Sequence, residues 1–369
     1  VSLLWPYILS KNQEIFFCYQ PFDWGNNAKS NAGVTCIIVG VQVVRKEGLR
    51  MIFDGTRSKT AKNISPYLID GKSIIINQKS ESISDFPKMI LGSSGFDGGY
   101  LILSVEERNE LIKSNPESHI YIRRFMSGDD FMNDKYRYCL WIEDNEVIEA
   151  SKILEIKQRI EKCRIFRLDA GRDARKAANV PHRFFYRTHQ DTSAVIFPKT
   201  ASGRREYIPS DFAKQDTIIS NAAFVVYTPD LFIFSILSCK MHKVWMEVTS
   251  AKMRSDFRYS VNLTYNTFPF PPVSRAQKQE LEKHVYRILE EREAHSEKTL
   301  AQLYDPDKMP DGLREAHRQN DLAVERCYRS KPFESDEERL EYLFKLYEQM
   351  IAAEKDKGTL FEKKKRAKK

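Results

Sequence analysis

Residues 251–272 read AKMRSDFRYSVNLTYNTFPFPP, and the placement of this stretch decides how the chain is organised. Lys252, Arg254, Asp256 and Arg258 occupy every second position. In an extended segment, side chains of equal parity point to one face, so three cations and one carboxylate are expected to project together from a single edge. Met253, Phe257 and Tyr259 hold the opposite parity. Behind them runs Tyr265-Asn266-Thr267-Phe268-Pro269-Phe270-Pro271-Pro272, whose prolines exclude helix and sheet interior and impose an extended, aromatic-studded connector. The stretch is either a solvated strand with a linker behind it or an edge that contacts nucleic acid, the proline segment then being a structural brace that holds the edge.

A chain of 369 residues accommodates two or three domains with a substantial apolar core. Lys and Arg number 59 against 51 Asp and Glu, giving a formal net charge of +8 and a pI near 9.0. That balance favours a polyanionic partner, although part of it sits in the terminal run Lys363-Lys364-Lys365-Arg366-Ala367-Lys368-Lys369, which reads as a disordered end. An aromatic content of 12% implies order through most of the rest. Cys18, Cys36, Cys139, Cys163, Cys239 and Cys327 are far apart with no CxxC pair, and the histidines show no HxxxH spacing. Structural zinc and a disulfide framework are therefore not expected, and the cysteine usage fits a reducing cytoplasm. No apolar run is long enough to span a membrane, and Val1 follows neither a signal peptide nor an initiating Met, which reads as a fragment of something longer.

Upstream, Glu14–Tyr19 and Gly33–Val41 are short β-branched and aromatic runs expected to be buried strands at the end of an α/β domain. The loop between them carries Phe22 and Trp24, which either plug the core at a strand end or stack on a planar ligand. Gly92-Ser93-Ser94-Gly95-Phe96-Asp97-Gly98-Gly99 resembles a phosphate cradle in composition but matches neither GxxxxGK[ST] nor GxGxxG, so a tight structural loop is expected. Ser104 and Glu107 form a capping box that starts a short helix, and a longer helix is expected over about residues 146–178. It ends in Arg172, Arg175 and Lys176, a placement that any helix C-terminus favours. Beyond it, Arg183, Arg187, Lys199, Arg204 and Arg205 interleave with Phe184, Phe185, Tyr186, Phe197 and Tyr207, the mixture in which cations set phosphate register and rings pack or stack. Residues 217–248 return to apolar strand and helix, with His242 left without an assigned role. After the proline connector, helices are expected over 274–300, 312–329 and 335–354.

The chain contains no glycine-rich nucleotide or S-adenosylmethionine loop, no GxSxG, no metal triad and no DPPY or NPPY tetrapeptide, so no complete active site can be named. Its strongest chemical statement is the edge: arginine pairs bidentately with guanine, and a carboxylate next to phosphates is repelled unless it accepts from a base such as cytosine. A module that binds a protein partner through its helical end is the competing reading, and an RNA-binding protein a third.

Several ordered stretches together resemble the MmeI-like class of adenine-specific DNA methyltransferases. They are Phe22-Asp23-Trp24-Gly25-Asn26-Asn27-Ala28 through Gly33-Val34; Gly98-Gly99-Tyr100-Leu101-Ile102-Leu103-Ser104 with Arg137-Tyr138-Cys139-Leu140-Trp141; Arg258-Tyr259-Ser260 with Tyr265-Asn266-Thr267-Phe268-Pro269; and Leu303-Tyr304-Asp305-Pro306 with Met309-Pro310, Leu313, Ala316-His317 and Asp321. The resemblance implies an α+β chain: terminal strands of a methyltransferase domain at 1–60, a mixed target-recognition domain at 61–272 and a helical C-terminal domain with a basic tail at 273–369. It implies that S-adenosylmethionine serves the complete protein and that this chain, lacking the cofactor loop and catalytic tetrapeptide, binds it poorly. The implied partners are double-stranded DNA and the rest of the methyltransferase polypeptide. By the same resemblance Phe22 or Trp24 lies beside a flipped adenine. Lys252, Arg254, Asp256, Arg258, Arg204 and Arg205 are then the expected base-reading set, and Arg172, Arg175, Lys176, Arg183, Arg187 and Lys199 the expected backbone contacts.

Overall fold

The computed structural model describes residues 1–24, 34–228, 230–253 and 256–366. Helix α1 (Trp5–Ser10) precedes a long hairpin of β1 (Gln13–Trp24) and β2 (Val34–Val43). β3 (Arg50–Asp54) lies parallel to β1 and turns back through Gly55, left-handed at φ 55, into β4 (Arg57–Ala61), giving the order β2-β1-β3-β4. Trp5, Ile15, Cys18, Ile52 and Ile64 close one side of this sheet. The expectation of buried strands holds for Ile15 and Cys18 and fails for β2, whose Ile37, Ile38, Val41 and Val43 are 38–61% exposed. The physical reason is that β2 is an edge strand, and among the described residues nothing packs over its outer part.

Three further sheets follow. β5 (Met89–Leu91), β6 (Ile102–Leu103), β7 (Ile122–Met126) and β8 (Arg137–Leu140) enter first, with α2 (Val105–Ser114) and α3 (Gly128–Asn133) between them. The Ser104–Glu107 capping box starts α2 as expected. The single helix expected over 146–178 is instead α4 (Val147–Ala150), α5 (Leu154–Asp169) and α6 (Arg172–Lys176). Ile153 and Ala170–Gly171 take extended backbone and break it, and Ile153 is buried where a straight helix would have carried it past the core.

β9 (Ala194–Pro198), β10 (Thr200–Ser202), β11 (Asp211–Ala213), β12 (Thr217–Ile219) and β13 (Ala223–Tyr227) lead into α7 (Phe232–Leu237) and α8 (Lys240–Thr249). β14 (Ala251–Met253) and β15 (Asp256–Arg258) complete three sheets ordered β12-β7-β8-β6, β11-β9-β13-β5 and β10-β15-β14. A π turn at Val261–Tyr265 opens the proline connector. The connector is buried rather than linker-like: Phe268 and Phe270 are 0% and 3% exposed, and both ring-pack with Phe86. Ser84 Oγ donates to the Phe268 carbonyl at 2.7 Å and accepts from the Phe270 amide at 2.9 Å, which fixes the segment as a brace.

The C-terminal helices α9 (Arg275–Glu293), α10 (Leu300–Leu303), α11 (Asp311–Tyr328) and α12 (Asp336–Arg366) have no core of their own. One apolar cluster runs from Phe197, Phe224 and Val226 through Phe234 and Trp245 to Leu281, Leu313 and Phe344. Buried polar pairs cross the same boundary. Tyr207 donates to Asp321 Oδ2 at 2.8 Å, the Lys240 amide at the start of α8 donates to Oδ1 at 2.7 Å, and Ser235 donates to Asn320 at 2.6 Å. Burial pushes the Asp321 carboxyl up to about 7 against the lowering effect of those two donors. Folding therefore retains a proton that the unfolded chain releases near pH 4, and this group's contribution to stability falls as pH rises from about 4 to about 7. The non-ionising variant Asp321→Asn is expected to gain on the wild type by about 2–3 kcal/mol between pH 5 and pH 8. Thermal unfolding at the two pH values checks this; parallel stability changes would show that Asp321 is ionised throughout.

Candidate nucleic-acid interface

The 251–258 stretch is not one strand. Ala251, Lys252 and Met253 pair with Arg258, Phe257 and Asp256, so the chain doubles back within it. Directly opposed residues share a face, which puts Lys252 with Phe257 and separates it from Asp256 and Arg258. The expectation that Lys252, Asp256 and Arg258 project together is corrected by this reversal, and Arg254 lies outside the described residues. Within β15 the alternation holds: Phe257 and Tyr259 are 6% and 4% exposed, whereas Arg258 is open to solvent and Asp256 partly so.

The inward residues fix the outward ones. Tyr259 packs on Phe197 at 4.6 Å, its hydroxyl lies 2.8 Å from His242 Nε2, and its amide donates to the Lys199 carbonyl at 3.0 Å. Burial pushes His242 down to about 4, so the histidine is a neutral core partner of the edge. On the solvent face, β10 sets Thr200 opposite Arg258 and Ser202 opposite Asp256. Arg258 has no ion pair among the described residues. Lys199, Arg258, Tyr259 and Phe224 line a shallow pocket of about 470 Å³.

Arg204 and Arg205 part company. Arg204 is exposed and pairs with Asp307 at 2.8 Å, an exposed pair weak enough to exchange for another anion. Arg205 is half-buried with Nη1 at 3.7 Å from Met132 Sδ; burial lowers its pKa, opposed by Asp305 and Asp256. Its charge is therefore balanced by Asp305 and Asp256. Sequence reasoning missed Asn221, which is exposed on the loop just before β13 and donates to Ser94 Oγ at 3.2 Å. The only hint of it is an amide between two apolar runs. That loop comes so close to Gly92 that a Cβ there would stand 2.3 Å from the Ser220 carbonyl.

The expected phosphate set also divides. Arg172 and Arg175 are exposed without ion pairs among the described residues, while Lys176 meets Asp173 at 3.6 Å and Arg183 meets Asp144 at 3.3 Å. Arg187 binds Glu143 through both terminal nitrogens, at 2.6 and 2.9 Å, and lies 3.9 Å over Trp141. The 177–183 segment between Lys176 and Arg183 is held by Arg167, a fully buried guanidinium that sequence reasoning passed over. It donates to the carbonyls of Gly95, Phe96, Ala177, Val180 and Arg183 at 2.7–3.1 Å. The glycine-rich segment is thus a structural loop, as expected, held by an arginine rather than holding a phosphate. The signal was available: Ile156, Ile160, Cys163 and Arg167 share one helical stripe, so the arginine had to face inward. Arg167→Met keeps the bulk and strands these carbonyls, and is expected to destabilise the chain by at least about 3 kcal/mol in urea unfolding. A loss below about 1 kcal/mol would mean that water replaces the clamp.

Phe22 and Trp24 lie on the same face near the end of β1, their rings 6.2 Å apart. Trp24 is 53% exposed, Phe22 is half-buried, and among the described residues neither ring belongs to a core cluster. Among the described residues there is no cluster that could hold a metal and no helix long and apolar enough to cross a membrane.

Family models match this chain in three consecutive blocks: the MmeI DNA-methyltransferase domain over residues 1–54, the MmeI target recognition domain over 70–272 and the MmeI C-terminal domain over 273–353. DNA methyltransferase A of Bacillus subtilis is 38% identical over 352 residues, covering 95% of this chain and 40% of that protein. The type IIL restriction-modification enzyme MmeI, solved in complex with DNA, superposes with a TM-score of 0.88 at 35% identity, over 95% of this chain and 48% of that one. The chain spans less than half the length of either relative. With its central block matched from end to end and the flanking blocks in the same order, the chain belongs to the MmeI family.

Proposed function

We propose that this chain reads the sequence of double-stranded DNA as the C-terminal part of an adenine-specific, S-adenosylmethionine-dependent methyltransferase of a restriction-modification system. The observation that carries the reading is the solvent face of β15, where an arginine without an ion pair among the described residues and a carboxylate stand two residues apart on a sheet anchored from behind. Arg258 offers a bidentate donor to guanine, and Asp256 an acceptor for the cytosine amino group. Arg204 and Arg205 are assigned to the same reading set, as is Arg254 on its sequence alone, whereas Lys252 lies on the other face of the hairpin. Lys199, Arg172 and Arg175 supply phosphate contacts, joined by Lys176, Arg183 and Arg187 when their surface carboxylates release them. The DNA complex of the relative MmeI supports the partner.

Phe22, half-buried, and Trp24, exposed, near the end of β1, flank the extruded adenine in this reading. Among the described residues, the pocket on the N-terminal sheet does not fit the cofactor. The pocket on the 1–54 sheet, about 430 Å³, is lined by Phe16, Phe17, Tyr19, Leu49 and Met51 and offers no carboxylate for a ribose. S-adenosylmethionine is therefore assigned to the remainder of the polypeptide, a cytoplasmic bacterial enzyme in this reading, and no methyl-transfer step is derived from this chain.

In the complete enzyme, Arg258→Ala is expected to relax or abolish sequence choice, with about 10- to 100-fold less discrimination at one base pair. Arg254→Ala is expected to do the same. Arg175→Ala should weaken binding evenly across sequences and reduce the log–log salt slope by about one. Mapping methylated adenines in genomic DNA, together with duplex binding over a salt series, reads both. An unchanged methylated sequence in Arg258→Ala removes the base-reading assignment, and affinity independent of salt removes the DNA-binding role.

A further inference from the structure

A second surface feature adjoins the edge and is used by none of the contacts above. Phe96 and Tyr186 are 37% and 51% exposed, and their rings meet edge to face at 5.9 Å. Phe185 backs both, 6.2 Å from Phe96 and 4.8 Å from Tyr186. The arrangement is imposed. Phe96 holds a left-handed backbone at φ 45, unusual for an aromatic residue. Arg167 grips the Gly95 and Phe96 carbonyls, and Ser94 exchanges two backbone hydrogen bonds with Tyr186, at 2.9 and 3.1 Å. Two loops are locked together so that two rings face solvent.

At their foot lies a crevice of about 250 Å³ whose lining includes Ser94, Phe96, Ser127, Arg137 and Asn221. Arg137 is tied through Nε and Nη2 to Asp130 and Ser127 and lies 5.2 Å over the Phe125 ring, and its Nη1 has no hydrogen-bond partner among the described residues. Ser220 and Asn221 line this crevice and Phe224 lines the Lys199–Arg258 pocket, so one short loop separates the two. Arg167 also holds the 177–183 segment directly after α6, which joins the rings to the exposed Arg172 and Arg175.

We propose that Phe96 and Tyr186 form an apolar knuckle that packs on the sugar and base edges of the duplex held along the 199–258 edge, with Arg137 Nη1 donating to the DNA from the crevice below. This inference rests on the DNA-reading assignment and extends it. Its occupant is duplex DNA rather than a protein because the crevice lined by Phe96 and the pocket lined by Lys199 and Arg258 are joined by the short stretch 221–224, and because Arg137 and Asn221 supply donors in the crevice. Apolar side chains seated in a groove respond to how readily the duplex deforms, so the knuckle adds shape-dependent selection at base pairs that no side chain reads directly.

The test uses the intact methyltransferase. Tyr186→Ala is expected to lower affinity for duplex DNA carrying the methylated sequence about 10-fold or more without changing the salt slope, and Tyr186→Phe to restore it, since the ring and not the hydroxyl makes the contact. Wild-type affinity in Tyr186→Ala alongside lost sequence choice in Arg258→Ala overturns the knuckle and leaves the reading assignment intact. If neither variant changes DNA binding, both fail together. A second measurement covers a Tyr186→Ala protein that does not fold: duplex DNA should protect Tyr186 of the wild type from iodination, and equal labelling with and without DNA overturns the proposal.

Discussion

Pairing of Asp256–Arg258 with Thr200–Ser202 on one side and Ala251–Met253 on the other is the constraint on which the candidate interface depends. A strand has a side-chain period of two, so a register slip of one residue would turn Arg258 and Asp256 into the core and expose Phe257. What prevents the slip is not the short strands but Tyr259, wedged against Phe197 and hydrogen-bonded to a neutral His242. The cost of exposing two buried aromatics is several kcal/mol, far above the strength of three residue pairs on a sheet edge. Base-reading side chains on this scaffold can therefore change while their positions stay fixed.

The helical end serves the same purpose from behind. Trp245 of α8 packs on Phe344 and Tyr347 of α12, and Tyr207, next to Glu206 on the segment after β10, stacks on His317 of α11 at 4.4 Å. Arg292 of α9 completes the wall, donating to the Ser210 carbonyl and to Tyr304, whose hydroxyl lies 2.6 Å from His317. A module that shares its core with the recognition sheets cannot move independently of them. Arg167 acts in the same way on the other flank, where one guanidinium sets the position of several loops.

Much of this was legible in the residues. The alternation of Asp256, Phe257, Arg258 and Tyr259, the capping box at Ser104, the bracing connector at 265–272 and the helical end all follow from period, caps and prolines. The hairpin reversal was not, because Lys252 and Asp256 have equal parity whether the chain runs straight or folds back, and only the partner strand decides. Nor were the breaks at Ile153, where burial overrides a continuous helical pattern, and at Ala170–Gly171. Charge alone did not distinguish Arg258 from Arg187 or Arg205. Which arginine stays free depends on carboxylates such as Glu143 and Asp305, brought close only by the fold. The exposure of Trp24 was equally hidden, since an aromatic residue at a strand end is as often a core plug as a contact.

The central claim is that one face of the recognition sheets, and not the helical end, lies on DNA. Photocrosslinking of the intact methyltransferase to a duplex carrying bromodeoxyuridine through its methylated site, followed by peptide mapping, addresses it directly. The account predicts that the crosslinked peptides within this chain centre on residues 199–207 and 251–260. Crosslinks confined to α9–α12, with those two segments unlabelled, would contradict it.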